Sequence, residues 1–102
     1  MIIVADARPI ISLEKLGELT LLRKVYGEIH ITDIVADVVG IELPDWITVS
    51  SDYNEVAFES LSKDLDRGIA SAIQFCLEQK NSTLIIDERK GRKIARKLVS
   101  KL

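Results

Sequence analysis

The chain is poor in the residues that most often declare a function by themselves. A lone cysteine, Cys76, excludes an internal disulfide. A single histidine, His30, has no Cys or His partner at zinc-ligand spacing, and is expected to be a surface strand residue. Two prolines and five glycines among 102 residues argue against a disordered or low-complexity segment. Aromatic residues make up only 5%, so Trp46 and Tyr53 are too isolated for a base-stacking platform. No apolar run approaches the roughly 20 residues of a membrane helix. The N-terminal MIIVAD lacks the basic start of a signal peptide. Neither a phosphate-cradling glycine loop nor a Ser–His–Asp set is visible. These absences predict a small cytoplasmic protein that needs no membrane.

What remains is a chain 47% hydrophobic and 29% charged, enough for one domain over residues 1–102 with a single core. Its net charge of −2 hides an asymmetry. Residues 87–102 hold seven basic residues against two acids, whereas residues 1–86 hold seven against fourteen. A basic tail on an acidic body suits a surface for polyanions, a helix docked on its own domain, or a solvated face.

Periodicity supplies the elements. Met1–Ala5, Glu28–Ile31, Trp46–Val49 and Ser82–Ile86 read as short apolar strands. Between them lie helical patterns: one from Pro9, one through Leu19, Leu22 and Tyr26, and one capped by Thr32 and ended at Gly40. A short helix is expected around Val56, Phe58 and Leu61. A clear one from Asp66 repeats Ile69, Ala72, Ile73 and Cys76, which makes Cys76 a core residue. A last helix would line up Ile94, Leu98 and Leu102. Alternation of this kind predicts an α/β fold, a three-layer α/β/α sandwich on a mainly parallel four-stranded sheet.

In such a sheet the carboxyl ends of the strands share one edge. Asp6 and Asp87 each follow a strand directly. Two carboxylates gathered there need a cation between them, and a hard divalent ion is the usual one. Each could instead cap the helix that follows it. Asp37, the one acid amid Val35, Ala36, Val38 and Val39, either lies on a solvent stripe or faces the same site.

The run VADARPIISLEKLGELTLLRKVYGEIHITDIVADVV, with LDRGIASAI and LIIDERKGRKIARKL downstream, resembles the PIN domains, in particular a branch of small PIN proteins related to toxin–antitoxin nucleases. The resemblance spans nearly the whole chain. It implies a metal-dependent ribonuclease that uses Mg²⁺ or Mn²⁺, with Asp6, Asp37 and Asp87 as the acidic, catalytic cluster. RNA is the implied partner, along with an antitoxin protein, and Arg89, Lys90, Arg92 and Lys93 near Asp87 would hold its backbone.

Three departures set a second reading beside the first. The block Gly-Glu-Ala-Glu-Ala-Ile is Gly68-Ile69-Ala70-Ser71-Ala72-Ile73 here, so both carboxylates are gone and Ile69 is expected to turn an apolar side chain toward the metal. Asp66 could substitute as a ligand, although it also suits the helix N-cap, the role favoured here. Arg8 stands where the branch has Ser, and would either pair with Asp6 in place of a metal or contact a phosphate. Relatives continue into another strand and helix, so this chain reads as C-terminally shortened, with an edge that self-association would cover as a homo-oligomer. The second reading is a PIN-derived module that binds RNA or protein without catalysis. A receiver-like α/β domain is a third, with which the block around Asp87 does not agree.

Overall fold

The computed structural model describes residues 1–86; Asp87, the basic cluster Arg89, Lys90, Arg92 and Lys93, and the expected last helix lie outside the described residues. Within them four strands alternate with five helices. Their order is β1 (Ile2–Ala5), α1 (Ala7–Lys15), α2 (Thr20–Tyr26), β2 (Ile29–Thr32), α3 (Asp33–Val39), β3 (Ile47–Ser50), α4 (Glu55–Leu61), α5 (Arg67–Glu78) and β4 (Ser82–Ile85). Every expected strand forms, within one or two residues of its expected ends. Trp46 stays outside its strand, in the turn leading to β3.

The sheet runs β3-β2-β1-β4 and all its pairings are parallel. The chain therefore builds outward from β1 to β3, then returns to add β4 on the other side of β1. Right-handed crossovers put the helices before β3 on one face and those after it on the other. This gives the sandwich expected from the sequence. The reversal also creates a topological switch between β1 and β4, and in open parallel sheets the crevice at the carboxyl ends of such a switch is where ligands sit. Asp6 occupies that place: its amide donates to the Ile85 carbonyl at 2.9 Å, one step beyond the β1–β4 register.

Two apolar clusters hold these elements. The larger joins Val4, Ile10, Ile29, Ile31, Val35 and Phe75 across the sheet; the smaller packs Phe58 of α4 against Leu65, Ile69 and Ile73. The helices have identifiable stops. Gly40 ends α3 at φ 65°, a left-handed conformation that glycine adopts without a Cβ penalty. His30 lies in β2, as expected. It is only half-exposed and stacks on Phe75, with ring centroids 6.5 Å apart. Cys76 is likewise half-buried rather than fully in the core; its Sγ is 3.1 Å from Ser82 Oγ, and burial pushes the thiol pKa up.

Candidate metal centre

Four of the helices begin at residues able to cap them: Asp6, Thr32, Asn54 and Asp66. Thr32 and Asn54 do so. Thr32 Oγ1 accepts from the Val35 amide at 3.1 Å, and Asn54 Oδ1 from the Ala57 amide at 2.9 Å. Asp6 and Asp66 accept no capping hydrogen bond from their own helices. The expected capping role of Asp66 is thereby corrected, because its carboxylate is turned elsewhere.

Gly68 shows where. A Cβ placed on this glycine would lie 3.3 Å from Asp66 Oδ2, 3.9 Å from Asp6 Oδ1 and 4.0 Å from Val35 Cγ2. The two carboxylates thus approach one point, above the first turn of α5. Asp6 is buried, 3% exposed, while Asp66 is exposed, so one carboxylate is fixed by the fold and the other reaches in from the rim. The positive ends of the α1 and α5 dipoles lie beside them and offset part of their repulsion.

The same turn of α5 is latched from beneath. Ser71 Oγ donates to the Gly68 carbonyl at 2.7 Å and lies 2.7 Å from Thr32 Oγ1, and all three residues are buried. Each hydroxyl has one proton. Ser71 spends its own on Gly68, so Thr32 must donate to Ser71 while accepting from Val35. One directed chain therefore runs from the Val35 amide through Thr32 and Ser71 to Gly68. It ties the start of α3 to the start of α5. Ser71 fills a position where the resemblance led one to expect a carboxylate.

The other expected residues fall in different places. Ile69 does not turn toward the carboxylates; it is 2% exposed, packed with Phe58, Leu65 and Ile73, and Gly68 holds the position beside Asp6. Asp37 is exposed and lies two positions from Val35, which puts it about 200° around α3 from the residue that faces Gly68. It is not brought to the pair. Arg8 is exposed on the first turn of α1, and the ion pair seen between described residues is Arg67–Glu59 at 3.5 Å. Among the described residues no three His, Cys, Asp or Glu side chains form a group that could hold a metal. Asp87, the remaining acid of the expected cluster, lies outside them.

A separate polar cleft of about 390 Å³ is lined by Asp33, Ser51, Tyr53, Phe58 and Arg67 among others, and by neither Asp6 nor Asp66. Tyr53 donates its hydroxyl to Asp33 Oδ1 at 2.7 Å. Burial, then the Asp33 carboxylate, push the phenol pKa above the usual tyrosine range, so it stays a donor. Arg67 follows Asp66 directly and holds its guanidinium 4.8 Å over the Phe58 ring. Sequence inspection missed this cleft, because Tyr53, Phe58 and Arg67 are brought together only by the packing of α4 on α5.

A family model described as a PIN domain matches residues 2–101. The chain belongs to the PIN-domain family. No curated protein and no solved structure matches it. The parallel α/β sheet agrees with that membership. Within this PIN domain the described acids supply a pair, Asp6 and Asp66, where the expected cluster names three. The pair still suits Mg²⁺ or Mn²⁺: Mg²⁺ keeps several waters and is often held by one or two carboxylates together with substrate phosphates. Oxygen donors without Cys or His favour such hard ions over zinc. No described helix is long and apolar enough to cross a membrane.

Proposed function

We propose that this PIN domain is a ribonuclease dependent on Mg²⁺ or Mn²⁺, with Asp6 and Asp66 as its first two metal ligands and Asp87 as a third. The observation that carries the reading is the convergence of two non-capping carboxylates beside Gly68, at the switch point of the sheet. A bound divalent ion would supply an activated water and offset the charge that develops on a phosphodiester. Asp6, on the end of a buried strand, fixes the position of that ion. Asp66, on the exposed rim, can adjust to substrate. The N-terminus of α1 adds a positive potential that favours phosphate. Arg8 on its first turn, together with Arg89, Lys90, Arg92 and Lys93, would bind the RNA backbone, in keeping with the basic character of residues 87–102.

The finer reading is the toxin of a toxin–antitoxin pair, acting as a homo-oligomer. Leu21 and Val25 on α2, 41% and 69% exposed, support an apolar contact with another chain.

The test is cleavage of end-labelled single-stranded RNA by the full chain in Mn²⁺, with EDTA and Asp6→Asn as controls. Cleavage lost in both controls is the expected result. RNA retained in a gel shift but never cut would replace the nuclease with the non-catalytic binding module, which the missing acids at Ile69 and Ser71 favour.

A further inference from the structure

We infer that Gly68 is a positioning residue for the divalent ion: its missing side chain makes room for the Asp66 carboxylate at a point that the Asp6 carboxylate also approaches. This rests on the proposed metal centre, and names the residue that gives the centre its shape.

Glycine inside a helix is costly, because it loses more backbone freedom than alanine and adds no packing. It needs a reason. Backbone conformation is not that reason: Gly17, Gly27 and Gly40 have positive φ, and Gly68 does not. Close packing of apolar groups is not the reason either. Val35 Cγ2 lies at 4.0 Å, an ordinary contact that would accept a methyl. Among the described residues the one tight neighbour is the Asp66 carboxylate, at 3.3 Å. A methyl group there would push that carboxylate away, and it can move because Asp66 is exposed. That displacement, a few tenths of an ångström, would shift Asp66 relative to buried Asp6, and the methyl would lie within 4 Å of both carboxylates meant for a hydrated cation. The Ser71 hydrogen bond to the Gly68 carbonyl holds the turn in place, so the helix itself would not shift to relieve the contact.

Alanine at 68 should therefore have opposite effects on two properties. Helix propensity raises stability, while the altered carboxylate pair weakens the ion. The experiment is a calorimetric Mn²⁺ titration and a thermal melt of the full chain as wild type, Gly68→Ala, Asp66→Ala and the double variant. Gly68→Ala should bind Mn²⁺ about tenfold more weakly, in the range for residues that orient metal ligands. Its melting temperature should equal or exceed that of wild type. With Asp66 already removed, Gly68→Ala should change Mn²⁺ affinity no further. Wild-type affinity in Gly68→Ala would overturn the inference, as would an equal loss in the Asp66→Ala background. A melting temperature well below wild type would also overturn it, by making Gly68 a packing requirement. A wild-type chain that binds no Mn²⁺ would instead overturn the metal centre itself.

Discussion

Two kinds of helix start sit on one edge of this sheet, and they differ in what the first side chain does. At α3 and α4, Thr32 and Asn54 fold back on their own helices and satisfy amides that would otherwise lack partners. At α1 and α5, Asp6 and Asp66 occupy the equivalent place and leave that task undone. Aspartate is as good a capping residue as asparagine, so side-chain chemistry does not explain the difference. Position does. The two caps flank β2 and β3, on the part of the sheet built first. Asp6 stands at the end of β1, where β4 is added and the topology reverses, and Asp66 approaches it beside Gly68. A fold gives up local stabilisation most readily where it has another use for the side chain.

The contrast can be broken by mutation. The largest loss of stability is expected for Thr32→Ala, which removes a buried cap and cuts the chain to Ser71; about 2 kcal/mol should disappear in urea denaturation. Asn54→Ala, at an exposed cap, should cost about 1 kcal/mol by the same measurement. Tyr53→Phe probes the bond that joins the two capped helices, and its cost should depend on pH. The raised Tyr53 pKa means that the folded protein keeps its phenolic proton when the unfolded chain has lost it. Its stabilisation is full below about pH 10 and falls as the pH rises beyond that. The stability gap between wild type and Tyr53→Phe, compared at pH 9 and pH 11, should therefore narrow at the higher value. Asp66→Ala should have the smallest effect on folding, about 0.5 kcal/mol from its charge near the α5 dipole. A cost as large as that of Asn54→Ala would make Asp66 an ordinary cap.

Much of this fold can be read from the chain because its signals are local. Short apolar runs such as IIVA and the four-residue spacing of Ile69 and Ile73 mark strand and helix without reference to the rest of the molecule. Asp6 was legible for the same reason, since a strand end in a parallel sheet faces one edge whatever its neighbours are. For Asp37 and Asp66 the sequence left two roles each, solvent stripe or site for Asp37 and cap or ligand for Asp66, without deciding between them. Their roles depend on which side of a helix faces a distant residue, and an error of two positions turns a side chain to the opposite face. Ile69 illustrates the point. Its apolar character suggested a damaged metal site, but one residue earlier Gly68 faces Asp6 and Ile69 belongs to the core under α4. The Thr32–Ser71 bond spans 39 residues, and no local pattern announces it.

The account rests on a division of labour between two pairs of helix starts, and one set of titrations tests it directly. Mn²⁺ affinity would be measured by calorimetry for Asp6→Asn, Asp66→Ala, Thr32→Ala and Asn54→Ala beside wild type. The account predicts saturable binding in wild type, weakened by about tenfold or more in the two acidic variants, unchanged in Asn54→Ala, and weakened less than in the acidic variants in Thr32→Ala, which loosens the latch under Gly68. Equal affinity in all five chains, or losses that follow stability rather than the carboxylates, would contradict it.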